Sequence, residues 1–153
     1  MPKSVDVVFI TLSSPVLVGV YEDNKLIKSF ISEDKSSDSL PKLFKNIDSK
    51  YDIKALFYAN GPGSFMAIKV AYIFLKSISI LKNIPLYAVD AFYFNNNKPI
   101  KALGKLYFVK ISQDIKTQKL ETVPQSSFKL PDVLEYSEFS QDNLPMYGIG
   151  AVG

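Results

Sequence analysis

Asn60-Gly61-Pro62-Gly63-Ser64-Phe65 stands between two apolar segments, and its reading decides the fold. Ahead of it, Lys54-Ala55-Leu56-Phe57-Tyr58-Ala59 is a short apolar and aromatic run of the kind that forms a buried strand. The two glycines let the chain turn sharply, because glycine tolerates backbone angles that other residues resist. Ser64 is placed to cap a helix, its hydroxyl accepting a bond from a free N–H of the first turn. Residues 65–82 contain neither Gly nor Pro and are long enough for about five helical turns, on the order of 27 Å. Asn83-Ile84-Pro85 ends that helix, since the residue before a proline avoids the helical region. Leu86-Tyr87-Ala88-Val89 then resumes as a strand. Strand, glycine turn, helix and strand together make a parallel crossover.

Working outward, residues 5–11 are apolar and predict a central strand. Ser13-Ser14-Pro15 is a turn, residues 16–21 a second strand, Glu22-Asp23-Asn24-Lys25 a hairpin turn, and residues 26–31 a third strand. After a polar loop at 32–39, Leu40, Leu43, Phe44 and Ile47 recur at helical spacing, with Tyr51 one turn further. Pro41 is tolerable in the first turn of that helix. The order is β-β-β-α-β-α-β, an α/β arrangement similar to the ribonuclease-H-like lobe of the actin-like ATPase superfamily. Asn95-Asn96-Asn97-Lys98-Pro99 reads as a loop and a lobe boundary. It divides an N-terminal lobe, 1–98, from an abbreviated second lobe, 99–153. There, residues 106–112 predict a strand, and 119–123 are expected to pair with it across a turn at 114–117. Residues 132–136 are ambiguous, and Met146-Tyr147-Gly148-Ile149-Gly150 reads as a terminal strand.

Composition removes several chemistries. The 153 residues are 47% hydrophobic, enough for a substantial core. They contain no cysteine and no histidine, so thiolate ligands, a cysteine nucleophile and the usual general base are missing. All basic residues are lysine, so a bidentate guanidinium grip on phosphate is missing too. The net charge of +3 is modest and allows only weak general attraction to RNA. Met1-Pro2-Lys3-Ser4-Val5-Asp6 does not read as a signal peptide. Lys69, Lys76, Ser77 and Ser79 interrupt the longest apolar run, which argues against a membrane span. The expectation is a cytoplasmic protein with no membrane partner.

One family resemblance is specific. Asn60-Gly61-Pro62-Gly63-Ser64-Phe65, then Lys69 and Lys76 on a helix, then Asn83-Ile84-Pro85-Leu86, resembles the TsaB (YeaZ) family. Residues 7–14 sit where that family has a strand and a turn. Glu22-Asp23-Asn24-Lys25-Leu26 matches its hairpin, and Ser37-Asp38-Ser39-Leu40-Pro41 its next motif. The likeness covers about residues 5–90 and thins after about residue 100. It implies a non-catalytic scaffold subunit. Such a subunit binds TsaD, with TsaE as a third member, in threonylcarbamoyladenosine modification of tRNA. It implies tRNA contact only through the complex, a homodimer when the chain is alone, no cofactor of its own, and nucleotide only at the interface with TsaD. The family's acidic residue in the first turn falls on Thr11 here, and its threonine on Leu12. Met66, Phe74 and Leu75 replace smaller family residues in the key helix.

The candidate sites divide into a turn and a helix face. Gly61, Gly63 and Ser64 could bind an anion at a helix N-terminus, or could simply form a tight turn. The lysine that would follow the glycines in a P-loop is not there. Ser64 lacks a histidine to activate it, which leaves only a Ser–Lys pair with Lys69 or Lys76. The carboxylates Asp6, Glu22, Asp23 and Asp90 show no metal-ligand spacing, and Asp90 reads as a turn cap. At 100° per residue, Ala67, Ala71, Phe74, Ile78 and Leu81 share one side of the helix, with Lys69 and Lys76 opposite. Phe65, Tyr72, Ile73 and Ile80 flank those lysines. Either the rest of the chain covers these groups or a partner does. The expected partner face is Phe65, Lys69, Tyr72, Ile73, Lys76 and Ile80, with Leu43 and Ile47 of the preceding helix. The competing class is a small ATPase or phosphotransferase of the sugar-kinase type; a peptidase has no catalytic base here.

Overall fold

The computed structural model describes residues 2–122 and 127–147. Its first half is the expected series: β1 (Ser4–Ile10), β2 (Val16–Glu22), β3 (Lys25–Ser32), α1 (Ser36–Lys50), β4 (Asp52–Ala59), α2 (Phe65–Lys82) and β5 (Leu86–Val89). These strands form one mixed sheet in the order β3-β2-β1-β4-β5. β1, β2 and β3 pair antiparallel, while β4 lies parallel to both β1 and β5. Asp23 and Asn24 turn the β2–β3 hairpin at positive φ, as short polar side chains at a two-residue turn allow.

Period-two alternation sorts the strand residues between two cores. Val5, Val7, Phe9, Val18, Val20, Leu56, Tyr58, Leu86 and Ala88 face α1 and α2. Val8, Ile10, Tyr21, Ala55, Phe57 and Ala59 face the other way. Both helices cover the first face and touch through Phe44 and Phe74, whose rings meet edge to face at 5.9 Å. α1 begins earlier than its apolar spacing predicts, so Pro41 lies inside it rather than in its first turn. The cause is polar: the Ser39 hydroxyl and the Asp38 and Ser39 N–H groups all donate to the Lys35 carbonyl, forming the first turn. Asp38 in that turn also favours the helix dipole.

The second face is covered by the rest of the chain. β6 (Ile100–Leu103), β7 (Leu106–Ile111) and β8 (Asp114–Lys119) form a small antiparallel sheet in sequence order. Ile100 and Phe108 from it, with Leu130 and Leu134, complete the second core. The strand expected at 119–123 is instead β8, and the turn expected at 114–117 lies at Ser112-Gln113. Ser112 makes that turn at positive φ, with no glycine to announce it. Residues 128–147 form no long strand but run across the second face. Leu26 donates to the Asp132 carbonyl and Leu134 to the Asn24 carbonyl; Ala88 and Ser140 exchange two 2.8 Å bonds at the β5 edge. Met146 and Tyr147 are not in a strand, and Gly148, Ile149 and Gly150 lie outside the described residues.

Candidate interaction face on α2

α2 is held at both ends by the expected residues. Ser64 accepts a bond from the Ala67 N–H at 3.4 Å, and Asn83 closes the helix in the left-handed conformation. The turn ahead of it is built on close approach. Gly61 has φ +124°, and a Cβ there would lie 1.8 Å from the Met146 carbonyl oxygen. A Cβ on Gly63 would lie 3.0 Å from that of Leu12. The turn's polar groups are drawn inward: Ser64 N–H donates to the Leu12 carbonyl, Ala91 N–H to that of Gly61, and Met146 N–H to that of Asn60.

Gly63 and Ser64 line a cavity of about 590 Å3 with Leu12, Ser13, Ile100 and Lys101. A second cavity of about 630 Å3 opens between Ser13, the start of α1 and the first turns of α2, with Ser64, Met66 and Val70 in its wall. The first is a mostly apolar hollow with two serines, Ser13 and Ser64, in its wall. Thr11, at the position where the family resemblance places an acid, is buried and its hydroxyl has no hydrogen-bond partner. Among the described residues no group of three or more acidic side chains could hold a metal ion. Asp90 caps the turn after β5 as expected, accepting from the Phe92 N–H at 2.9 Å.

The faces of α2 are rotated from the expected phase. Ile68, Ala71 and Leu75 are the buried residues, while Leu81, expected inside, is 81% exposed. An α-helix that is apolar on nearly every side leaves its phase to its neighbours. Here Phe44 draws Phe74 inward, and Asp48 holds Lys82 at 3.0 Å. Outside, Met66, Ile73 and Ile80 are 62%, 55% and 69% exposed. Their seven-residue spacing sets them in one ridge, about 10.5 Å between neighbours along the axis. Lys69 and Lys76 stand three residues after the first two, exposed and half-buried respectively. Among the described residues neither pairs with a carboxylate. The ridge keeps a seven-residue period, with a lysine where a coiled-coil seam would carry its second apolar residue.

The other expected face residues divide. Phe65 is 38% exposed, its ring stacked on Tyr147 at 4.2 Å. Tyr72 is half-buried over the core, its ring tilted 6.4 Å from that of Tyr58. Leu43 packs partly into the core. Ile47 is a correction: it is fully buried beneath α1 and has no surface to offer a partner. Met66 belongs to the ridge although sequence reasoning missed it; its spacing of seven from Ile73 was the available signal.

A scan against protein-family models finds no match, and a search of curated proteins finds none. Solved structures do match. YeaZ from Pseudomonas aeruginosa superposes with a TM-score of 0.56 at 13% identity, over 78% of this chain and 66% of that one. An uncharacterized protein with similarity to peptidase YeaZ from Pseudomonas aeruginosa gives 0.55 at 14% identity, over 79% and 66%. The chain therefore spans slightly under two thirds of the length of each. These likenesses are of fold: the mixed α/β fold of this chain, with its five-stranded sheet and two helices, resembles that of YeaZ.

Proposed function

We propose that this chain is a TsaB (YeaZ) family member acting as a non-catalytic scaffold subunit. In this reading it binds TsaD, with TsaE, in threonylcarbamoyladenosine modification of tRNA in the cytoplasm. The YeaZ-like fold supports the family. The strand order β3-β2-β1-β4-β5 supports a ribonuclease-H-like lobe over 1–98, with 99–153 as a reduced second lobe. The observation that carries the functional reading is the α2 ridge of Met66, Ile73 and Ile80 beside Lys69 and Lys76.

Apolar groups of this size contribute about 1.5–3 kcal/mol each when fully buried. Three in one line form the core of a helix-helix contact, and the two ammonium groups select a partner with carboxylates at its rim. Without TsaD, the same ridge pairs two copies of the chain. Tyr147 on Phe65 bounds the ridge at its N-terminal end. The test is binding of purified TsaD by the wild type and by Ile73→Asp and Tyr72→Asp. Ile73→Asp abolishes binding with the fold intact by circular dichroism. Tyr72→Asp, at a half-buried site, weakens binding and lowers Tm together. Retention of binding by Ile73→Asp overturns the reading. The isolated chain is expected to show no magnesium-dependent ATP turnover; turnover would favour a phosphotransferase using the cavity at Gly63, Ser64 and Lys101.

A further inference from the structure

The positive charge of the chain is not evenly spread. Residues 98–129 carry seven lysines against two acids, Asp114 and Glu121, whereas the rest of the chain is net negative by two. Most of these lysines stand on or beside the β6–β8 sheet, which lies on the face of the main sheet opposite α1 and α2.

Its register sorts the side chains. Ile100 pairs with Phe108, and both are buried against the main sheet. Lys101 pairs with Tyr107, and Tyr107 with Gln118, so these three form a row across the outer face. Val109 and Lys116 form the next row, about 6.6 Å along the strands. Ile111 and Asp114 close the far end. Lys101, Lys116 and Gln118 are exposed and Tyr107 is half-buried. Among the described residues Tyr107 stacks on no other ring, and neither Lys101 nor Lys116 pairs with a carboxylate. Lys105, by contrast, is held by Glu121 at 2.9 Å.

We infer that the outer face of the β6–β8 sheet binds single-stranded nucleic acid, with Tyr107 stacking on a base and Lys101 and Lys116 taking phosphates. A sheet with a half-buried aromatic that stacks on no other described ring, flanked by ammonium groups and an amide, offers the three interactions an unpaired strand needs: stacking, phosphate charge and a base-edge hydrogen bond. Two lysines spaced along one face follow a polyanion rather than a single anion. Duplex reading is disfavoured, because no arginine is available for bidentate contact in a groove. The inference stands on the charge and register of β6–β8 and uses no residue of the α2 ridge, so it holds or fails independently of TsaD binding.

The experiment is fluorescence anisotropy of a labelled twelve-nucleotide oligo(U) RNA with the full chain in low salt, followed by a salt titration. Saturable binding is expected. Tyr107→Ala should weaken it about tenfold. Lys101→Glu with Lys116→Glu should abolish it, and Lys101→Gln with Lys116→Gln should lower the salt slope by about 1.4, two phosphate contacts' worth. Lys42→Glu with Lys45→Glu, on the exposed side of α1, makes the same charge change elsewhere and should cost much less. No saturable binding, equal loss in the α1 control, or unchanged binding by Tyr107→Ala overturns the inference. So does preference for acidic phospholipid vesicles over RNA.

Discussion

Tyr136 donates a 2.6 Å hydrogen bond to Oδ1 of Asp6, tying the last third of the chain to its first strand. The Asp6 side chain is fully buried, and its Oδ2 has no hydrogen-bond partner; Lys54 Nζ stands 4.0 Å away. Burial raises the carboxyl above its ordinary 3.8, against the opposing pull of Tyr136 and Lys54. A raised acid stabilises the fold fully below its unfolded value and loses that contribution as pH rises through the folded value. Tyr136→Phe removes a donor that favours the charged form. It should destabilise the protein by about 1–3 kcal/mol at pH 7 and by less at pH 4. Urea unfolding of wild type and variant at both pH values checks the sign; an equal or larger loss at pH 4 would refute it.

Gly61 and Gly104 both have positive φ, but only Gly61 is crowded. Gly104→Ala meets nothing within 4 Å and should cost about 1–2 kcal/mol, the price of a left-handed alanine. Gly61→Ala drives a methyl into the Met146 carbonyl. It should cost about 3 kcal/mol or more, or expel residues 140–147 from the β5 edge. Thermal unfolding together with limited proteolysis separates these results: early cleavage within 140–147 is expected only for Gly61→Ala.

Lys110 and Asp90 pair at 2.6 Å with side chains 19% and 14% exposed, joining the small sheet to the end of β5. Breaking one side of a sheltered pair costs more than removing both, because the survivor keeps its desolvation cost. Lys110→Met should therefore destabilise by about 1–3 kcal/mol. Adding Asp90→Asn should recover part of that loss, since the amide oxygen still accepts from the Phe92 N–H. A double-mutant cycle in urea measures the coupling; strict additivity would show that the pair contributes nothing.

The first half of the fold was legible because its signals are local. Near-continuous apolar runs mark β1, β2 and β4, and Ser64 and Asn83 bracket α2 at the expected positions. The small sheet was not. β8 reads Asp-Ile-Lys-Thr-Gln-Lys, an edge strand with no continuous apolar face, and its hairpin turns at Ser112-Gln113 without glycine or asparagine. Residues 128–147 are held by main-chain and side-chain bonds to distant strands and by scattered apolar contacts, which no periodicity encodes. At the candidate site, the lysine stripe of α2 was legible and the helix phase was not. Ile47 was read as surface and Leu81 as core because both helices' orientations are set by contacts such as Phe44 with Phe74, which lie between elements.

The central claim rests on the outward ridge of α2, and calorimetric titration of purified TsaD into this chain tests it most directly. The wild type should bind, and Ile73→Asp should weaken binding at least about a hundredfold, because a carboxylate would have to enter a dry helix seam. Lys42→Asp, on the exposed side of α1, should bind as the wild type does. Equal affinity for TsaD in the wild type and Ile73→Asp would contradict the account.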